Sequence, residues 1–152
     1  MPNKCKGFTL VEIIIVMTLL GIVSAYASFK FPGRTLFNLH SNTQNLILDI
    51  RLAKTLSMSL NSNYRIVFTS ANTYQIQDEN NNPYFNPSAN SSTTTLDAGI
   101  SLSPLTTIAF NFLGQPMNAS NVLLTSQISL SITDGQTTHL IFVDPKTGYV
   151  HE

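Results

Sequence analysis

One apolar run near the N-terminus constrains this chain more than any other feature. The 22 residues from Phe8 to Phe29 contain a single charged side chain, Glu12. As a helix they would extend roughly 33 Å, which is about the thickness of a bilayer core. The run therefore predicts one membrane-spanning helix over residues 8–30, and no second run in the sequence approaches this length.

Glu12 separates the possible interpretations of the run. A secretory signal peptide is one alternative, because Ser24–Ala27 reads as a small-residue cleavage site. A signal peptide has no use for an acid in its apolar core, and neither does a plain anchor. An ionisable side chain at the centre of a membrane helix costs about 2.5–3.5 kcal/mol on insertion scales, so its presence calls for a partner.

The residues around Glu12 supply an explanation for it. The segment Gly7-Phe8-Thr9-Leu10-Val11-Glu12 follows a short leader with two lysines. It resembles the processing signal of type IV pilins and pseudopilins. The resemblance implies that a prepilin peptidase cleaves after Gly7 and methylates the new amine of Phe8. Residues 1–7 would then be a discarded leader, and Cys5, the only cysteine, would leave with them.

Cleavage would also give Glu12 a partner. The new amine of Phe8 lies one helical turn before the carboxylate, and in a helical filament Glu12 of one chain would meet the Phe8 amine of its neighbour. An unpaired carboxylate is costly in a medium of low dielectric constant, so pairing favours one axial register. We interpret Glu12 as an assembly residue. The alternative is that it lies near the headgroups or bonds its own amine.

A second helix is predicted over residues 31–60, beginning with a kink or short break at Phe31–Arg34, where Pro32 and Gly33 disrupt the helical pattern. Apolar residues then recur at helical spacing over about 24 residues. The expected buried stripe is Leu36, Leu39, Leu46, Ile50, Ala53 and Leu60, with Ile47 and Leu56 beside it. The expected wet face is Asn42, Gln44, Asn45, Arg51 and Asn61. Packing on a sheet is favoured over a coiled coil, because Thr43 and Ser57 interrupt the seam.

From residue 61 to 152 the sequence predicts a small β domain, because the hydrophobic period changes to two. The expected strands are Tyr64–Thr69, Thr73–Gln77, Ile100–Leu102, Thr107–Phe112, Val122–Thr133 and His139–Val143, with a short terminal segment Tyr149–Val150. Asp134-Gly135 is a strong hairpin signal, and residues 78–95 are expected to form a long exposed loop. A helix followed by an antiparallel meander is an α+β fold.

Two segments of the β domain resemble the GspH/FimT-type minor pseudopilins. Phe110–Pro116 is similar to their strand and turn with an aromatic, a glycine and a proline, and Asp144–Val150 is similar to their closing turn. The resemblance implies the pilin arrangement, in which a long N-terminal helix is half embedded in the membrane and half packed on a C-terminal domain. It also favours a minor subunit. Major pilins typically close a C-terminal loop with a disulfide, and a chain that has lost Cys5 with its leader has no cysteine to form one.

Composition and spacing argue against enzymatic chemistry. Eight basic and eight acidic residues balance, and no nucleophile elbow or phosphate-binding glycine loop is present in the sequence. His40, His139 and His151 lack partners at metal-ligand spacing along the chain, so no metal or cofactor is expected. Asp78, Glu79 and Asn80–Asn82 offer oxygen ligands for calcium without EF-hand spacing, and a solvated loop is the preferred interpretation.

These observations predict a minor pilin-like subunit in the bacterial inner membrane. It would cross once, with a cytoplasmic N-terminus before processing and a periplasmic C-terminal domain. Its partners would be other pilin or pseudopilin subunits and the prepilin peptidase, in a type II secretion pseudopilus or a type IV pilus. The alternatives are a DNA-uptake (competence) minor pilin and a membrane-anchored periplasmic binding domain. DNA binding is not expected, because residues 35–152 carry a net charge of −3.

Overall fold

The computed structural model describes residues 9–30 and 34–152, and the side chains of residues 9–26 and 37–152. The described chain begins with two helices, α1 (Leu10–Lys30) and α2 (Arg34–Leu60). Nine strands follow in the described part: β1 (Tyr64–Ser70), β2 (Thr73–Gln77), β3 (Thr94–Thr95), β4 (Ser101–Ser103), β5 (Ile108–Phe110), β6 (Pro116–Met117), β7 (Ile128–Thr133), β8 (Thr138–Val143) and β9 (Val150–His151). The predicted α+β fold is confirmed, because α2 packs on an antiparallel β domain.

The chain divides into two units, Met1–Gly33 and Arg34–Glu152. Helix α1 belongs to the first unit, and α2 belongs to the second together with all nine strands. The kink predicted at Phe31–Arg34 falls on residues 31–33, which lie outside the described residues.

The strands of the second unit form two sheets rather than the single meander that the sequence predicted. One sheet has the order β3-β2-β1-β5-β6, and the other has the order β4-β7-β8-β9. The division arises because β4 pairs with the distant β7, placing Leu102 opposite Ile132. Both of these side chains are buried, and α2 contacts strands of both sheets. The helix therefore closes one core shared by two sheets.

The apolar stripe of α2 is confirmed over most of its length. Leu39, Leu46, Ile50 and Ala53 are fully buried. Leu60 was expected in the stripe but is 55% exposed, because the helix ends there. Asn61 follows with a φ of 50°, a left-handed conformation that is common just after a helix. Asn61 therefore caps the helix, and it is exposed, as expected of a wet position.

Two polar positions of α2 differ from the prediction. Asn42 was expected on the wet face but is buried, because its amide nitrogen donates to Asp97 at 2.9 Å. Ser57 interrupts the apolar seam as expected, but it is fully buried. Its hydroxyl donates to the carbonyl oxygen of Ala53 at 3.0 Å and accepts from the backbone nitrogen of Tyr64 at 2.9 Å. This serine thus joins the end of α2 to the start of β1.

The predicted strands are largely confirmed, with two corrections. The long strand expected over Val122–Thr133 is formed only from Ile128 onward. The segment 78–95 is not uniformly exposed, because it contains β3 and the buried Asn86. Asn86 is held inside by its amide nitrogen, which donates to the carboxylate of Asp49 on α2 at 2.7 Å.

The hairpin predicted at Asp134-Gly135 is confirmed between β7 and β8, where Thr133 pairs with Thr138. Gly135 has a φ of +87°, a conformation that glycine adopts without steric cost. The Asp134 carboxylate accepts hydrogen bonds from the backbone nitrogens of Gln136 and Thr137 at 2.9 and 2.7 Å. These bonds keep the pKa of Asp134 below its usual value.

Candidate functional site

The predicted assembly residue Glu12 lies in the first turn of α1, and the predicted processing residues Gly7 and Phe8 lie outside the described residues. The Thr9 hydroxyl accepts a hydrogen bond from the backbone nitrogen of Glu12 at 3.3 Å. The Thr9 carbonyl oxygen accepts from Ile13 at the same distance. Thr9 is therefore the N-cap of the helix, and Glu12 holds the third helical position, where an acid also favours the helix dipole.

Helix α1 exposes apolar side chains on all of its faces. The large apolar side chains from Leu10 to Tyr26 are 49–74% exposed. Ile13, Val16, Met17 and Leu20 line a shallow groove of about 260 Å³ that begins at Glu12. Their spacing places them on one helical face, which suits contact with a second apolar helix. A carboxylate at the head of this groove is positioned to accept a cationic donor carried by such a helix.

No helix in the part of the chain that the structure describes has both the length and the apolar character required to cross a membrane.

In the second unit, three side chains of α2 hold the C-terminal segment of the chain. The Lys54 ammonium donates to the carbonyl oxygen of Thr147 at 2.8 Å. Arg51 donates to the carbonyl oxygen of Val150 at 2.7 Å, and the Gln44 amide donates to the Glu152 carboxylate at 3.2 Å. Later residues of the segment contact earlier residues of the helix, from Thr147 with Lys54 to Glu152 with Gln44, so the segment runs antiparallel to α2. These contacts set its register on the helix.

The two segments that resemble the minor pseudopilins contact each other. Gly148, which has a φ of +58°, is buried against Gly114 of the other segment. A Cβ atom at Gly148 would overlap the carbonyl oxygen of Gly114 and approach Phe110 Cε1 to 3.0 Å. The sequence predicted a turn in each of these segments, but nothing in it indicated that the two turns contact each other.

A buried carboxylate that sequence reasoning did not single out lies between α2 and the five-stranded sheet. One oxygen of Asp49 accepts hydrogen bonds from the Tyr74 hydroxyl at 2.8 Å and from the Asn86 amide at 2.7 Å. Burial raises the pKa of Asp49, while hydrogen bonds from Tyr74, Asn86 and Thr94 act in the opposite direction. Burial and the adjacent carboxylate also raise the pKa of Tyr74.

A polar recess of about 470 Å³ opens beside this cluster, between α2 and residues 88–97. Its lining consists mainly of hydroxyl and amide side chains together with Asp97. The Asn42–Asp97 hydrogen bond forms part of its wall. Polar side chains thus join the loop to the helix here.

The loop that offered oxygen ligands for calcium uses its acid internally. Asp78 accepts hydrogen bonds from the backbone nitrogens of Asn80 and Asn82, both at 2.8 Å, and from the Asn82 amide at 3.0 Å. The bonds from Asn82 are the main cause that keeps the pKa of Asp78 low. This carboxylate closes its own turn, in keeping with a solvated loop.

Three basic residues of the second unit are directed at backbone carbonyls. Arg51 and Lys54 hold the C-terminal segment, and Arg65 donates to the carbonyl oxygen of Glu79 at 3.2 Å. Arg65 lies on β1, so its guanidinium contacts the 78–82 turn while the other two contact the C-terminal segment. The sequence left open a convergence of these cations into one basic patch, and their contacts divide them between two places.

The structure also brings together side chains that are far apart along the chain. One ligand atom each from His40, His139 and Glu152 lies within 4.8 Å of the others. Spacing could not reveal this group, because its members come from α2, from β8 and from the residue after β9.

The chain matches the sequence model of one protein family, the prokaryotic N-terminal methylation motif, over residues 2–28. The match spans the predicted cleavage position, Phe8 and Glu12. The chain carries a prepilin-type N-terminus. This finding supports a pilin-like subunit that a prepilin peptidase processes, that is anchored in a membrane and that assembles with other pilins. No curated protein and no solved structure matches the chain.

Proposed function

We propose that this protein is a minor pilin-like structural subunit of the GspH/FimT type. It would assemble into a type II secretion pseudopilus or a type IV pilus, as a tip or initiation component. The observation that carries the proposal is the methylation motif over residues 2–28, which includes most of helix α1 and its exposed apolar side chains on all faces. Such a helix requires a covering of lipid or of other helices.

In the proposed mechanism of assembly, the apolar side chains of α1 are covered first by lipid and then by neighbouring helices. Helix α1 holds the processed chain in the inner membrane, with the β domain in the periplasm, and then moves into a bundle of similar helices. The groove beside Glu12 receives a neighbouring helix, and the carboxylate pairs with the neighbour's Phe8 amine. Leaving one member of a buried ion pair unpaired costs about 3–5 kcal/mol, so pairing selects one axial position.

Two features of the rest of the chain support the finer assignment to a minor subunit. The segments 110–116 and 144–150, which carry the resemblance to minor pseudopilins, contact each other through Gly114 and Gly148. The only cysteine, Cys5, belongs to the predicted leader, so a processed chain cannot form the C-terminal disulfide of a major pilin.

Processing is tested first, by intact-mass and N-terminal peptide mass spectrometry of the protein made in cells with and without a prepilin peptidase. The expected mature chain begins at Phe8 and carries a methyl group on its amine, and it appears only with the peptidase. Retention of residues 1–7 in the presence of the peptidase, or cleavage after Ala27, would refute the proposal.

Assembly is tested with three variants: Glu12→Ala, Glu12→Gln and Thr9→Ala. Both Glu12 variants should insert in the membrane and be cleaved, yet cross-link to neighbouring subunits at least about tenfold less than wild type. Glutamine can occupy the same capping position without charge. Thr9→Ala removes the cap hydroxyl and retains the charge, so it should assemble like wild type. Wild-type assembly of Glu12→Gln would show that assembly does not need the charge of Glu12, and the proposed pairing with the Phe8 amine would be refuted.

A further inference from the structure

Two histidines and a glutamate converge where the first half of α2 meets the last strand. His139 lies on β8 and Glu152 directly follows β9, the neighbouring strand, and His139 Nδ1 contacts a carboxylate oxygen of Glu152. The imidazole of His40, on α2, has its ring centroid 6.2 Å from that of His139. One potential ligand atom from each of the three residues lies within 4.8 Å of the others.

This arrangement approaches the geometry of a metal site. Bonds of about 2.0–2.1 Å in a tetrahedral zinc site place ligand atoms roughly 3.3 Å apart, so rotamer adjustments of about an ångström would complete it. The side chains of His139 and Glu152 are 25% and 34% exposed, which leaves a path for an ion. An ordinary ion pair accounts for His139 and Glu152 but gives no role to the second imidazole beside them.

A residue outside the group of His40, His139 and Glu152 orients the carboxylate of Glu152. The Gln44 amide donates to the other oxygen of Glu152 at 3.2 Å. Gln44 lies one helical turn after His40, so the same face of α2 supplies both a candidate ligand and a positioning residue. Partners of this kind fix metal ligands in protein sites, and their loss typically lowers metal affinity about 10–100-fold.

We propose that His40, His139 and Glu152 bind a divalent transition-metal ion of the zinc class, with water at the fourth position. Two imidazoles and one carboxylate form a donor set of bound zinc, whereas calcium and magnesium prefer oxygen ligands alone. The ion joins α2 to β8 and to Glu152, and so reinforces the register set by Arg51 and Lys54. The site is independent of the proposed role in a filament.

The test uses the full chain in nonionic detergent, without a polyhistidine tag and in a Cys5→Ser background, because a thiolate also binds zinc. Isothermal titration with ZnCl₂ should give one ion per chain, and the midpoint of thermal unfolding should rise with zinc concentration. CaCl₂ at the same concentrations should give neither effect. Co²⁺ should give the visible absorption of a four-coordinate ion.

The variants separate ligands from bystanders. His40→Ala, His139→Ala and Glu152→Gln should each weaken zinc binding at least about tenfold, and Gln44→Ala should weaken it by about tenfold while keeping one ion per chain. His151→Ala is the matched control. This histidine neighbours Glu152 but stacks on Tyr149, at 5.3 Å between ring centroids, and its ring lies tilted beside Phe142, at 5.5 Å. It should bind zinc like the parent.

Circular dichroism and the unfolding midpoint without metal show whether each variant is folded. Glu152→Gln serves as the conservative substitution because it keeps the shape of the side chain. The proposal is overturned if the parent binds no zinc, or if folded His40→Ala and His139→Ala bind it with the parent affinity. A loss in His151→Ala as large as in His139→Ala would also overturn it.

Discussion

The hydroxyl of Tyr74 donates a 2.8 Å hydrogen bond to the buried carboxylate of Asp49, joining β2 to α2. Both side chains are almost fully enclosed, and the Asn86 amide donates to the same carboxylate oxygen. Hydrogen bonds offset part of the cost of burying a charge, and desolvation remains the larger effect, as the raised pKa of Asp49 indicates. We therefore expect the stability of the contact between α2 and the sheet to depend on pH.

The first prediction concerns Asp49→Asn. Because burial raises the pKa of Asp49 in the folded chain, the folded state binds more protons than the unfolded state at pH values between the unfolded pKa, about 3.9, and the higher folded pKa. This group therefore stabilises the fold most at low pH, and its contribution is lost as the pH rises through the folded pKa. Asparagine does not titrate and retains an oxygen that accepts from Tyr74 and Asn86. The free energy of unfolding of the variant, relative to wild type, should rise with pH in urea titrations.

Tyr74→Phe is the companion variant for this measurement. It removes one donor from the carboxylate and leaves the ring in place, so it should cost about 1–3 kcal/mol. The loss should be larger on the alkaline side of the Asp49 transition than on its acid side, because the bond is stronger to a charged carboxylate. Equal losses across the whole pH titration would contradict a titrating Asp49.

The second prediction concerns Ser57→Ala. The substitution leaves the backbone nitrogen of Tyr64 without the hydroxyl that it bonds at 2.9 Å. This donor is partly buried, and a fully buried donor without a partner costs about 1–3 kcal/mol, so the free energy of unfolding should fall by about 1 kcal/mol. Ser59→Ala is the control on the same helix, because Ser59 is exposed and its bond to Leu56 is long, at 3.4 Å. It should change stability by less than about 0.5 kcal/mol.

The third prediction compares alanine substitutions at two glycines with positive φ. At Gly135 a Cβ has no atom within 4 Å, so Gly135→Ala should cost only the conformational strain of about 1–2 kcal/mol. At Gly148 the same strain is added to an overlap with the Gly114 backbone, which cannot rotate away. Gly148→Ala should cost about 2–5 kcal/mol in chemical denaturation. Equal costs at the two sites would show that the backbone contact yields easily.

The fourth prediction is that the protein does not bind duplex DNA specifically. Residues 35–152 carry four cations and seven anions, and three of those cations donate to backbone carbonyls in the described structure. Binding of the full chain in detergent to duplex DNA should be non-specific, at roughly 10⁻⁴ M or weaker at physiological salt. A gel shift at low micromolar protein that persists at that salt would make DNA uptake the leading function. A duplex of scrambled sequence is the control for specificity.

Element types were predictable from local patterns, and the same patterns misplaced several boundaries. Hydrophobic period identified α2 and most strands, because a side chain's face depends only on its place in a helix or strand. The strand expected from Val122 begins at Ile128, and Leu60 is exposed because Asn61 caps the helix. Local alternation cannot show where a strand finds a partner, since pairing requires a second strand that lies elsewhere in the sequence.

The sequence by itself determined the prepilin-type N-terminus, because the motif is a contiguous run that can be recognised from the residue types and spacing of Gly7, Phe8 and Glu12. It likewise determined the α+β class, through the change of period near residue 61. Only the tertiary structure decided the division into two sheets, the burial of Asp49 under Tyr74, and the meeting of His40 with His139 and Glu152. Each of these depends on which distant segments pack against α2, and that choice is made by the burial of the whole core, not by any local pattern.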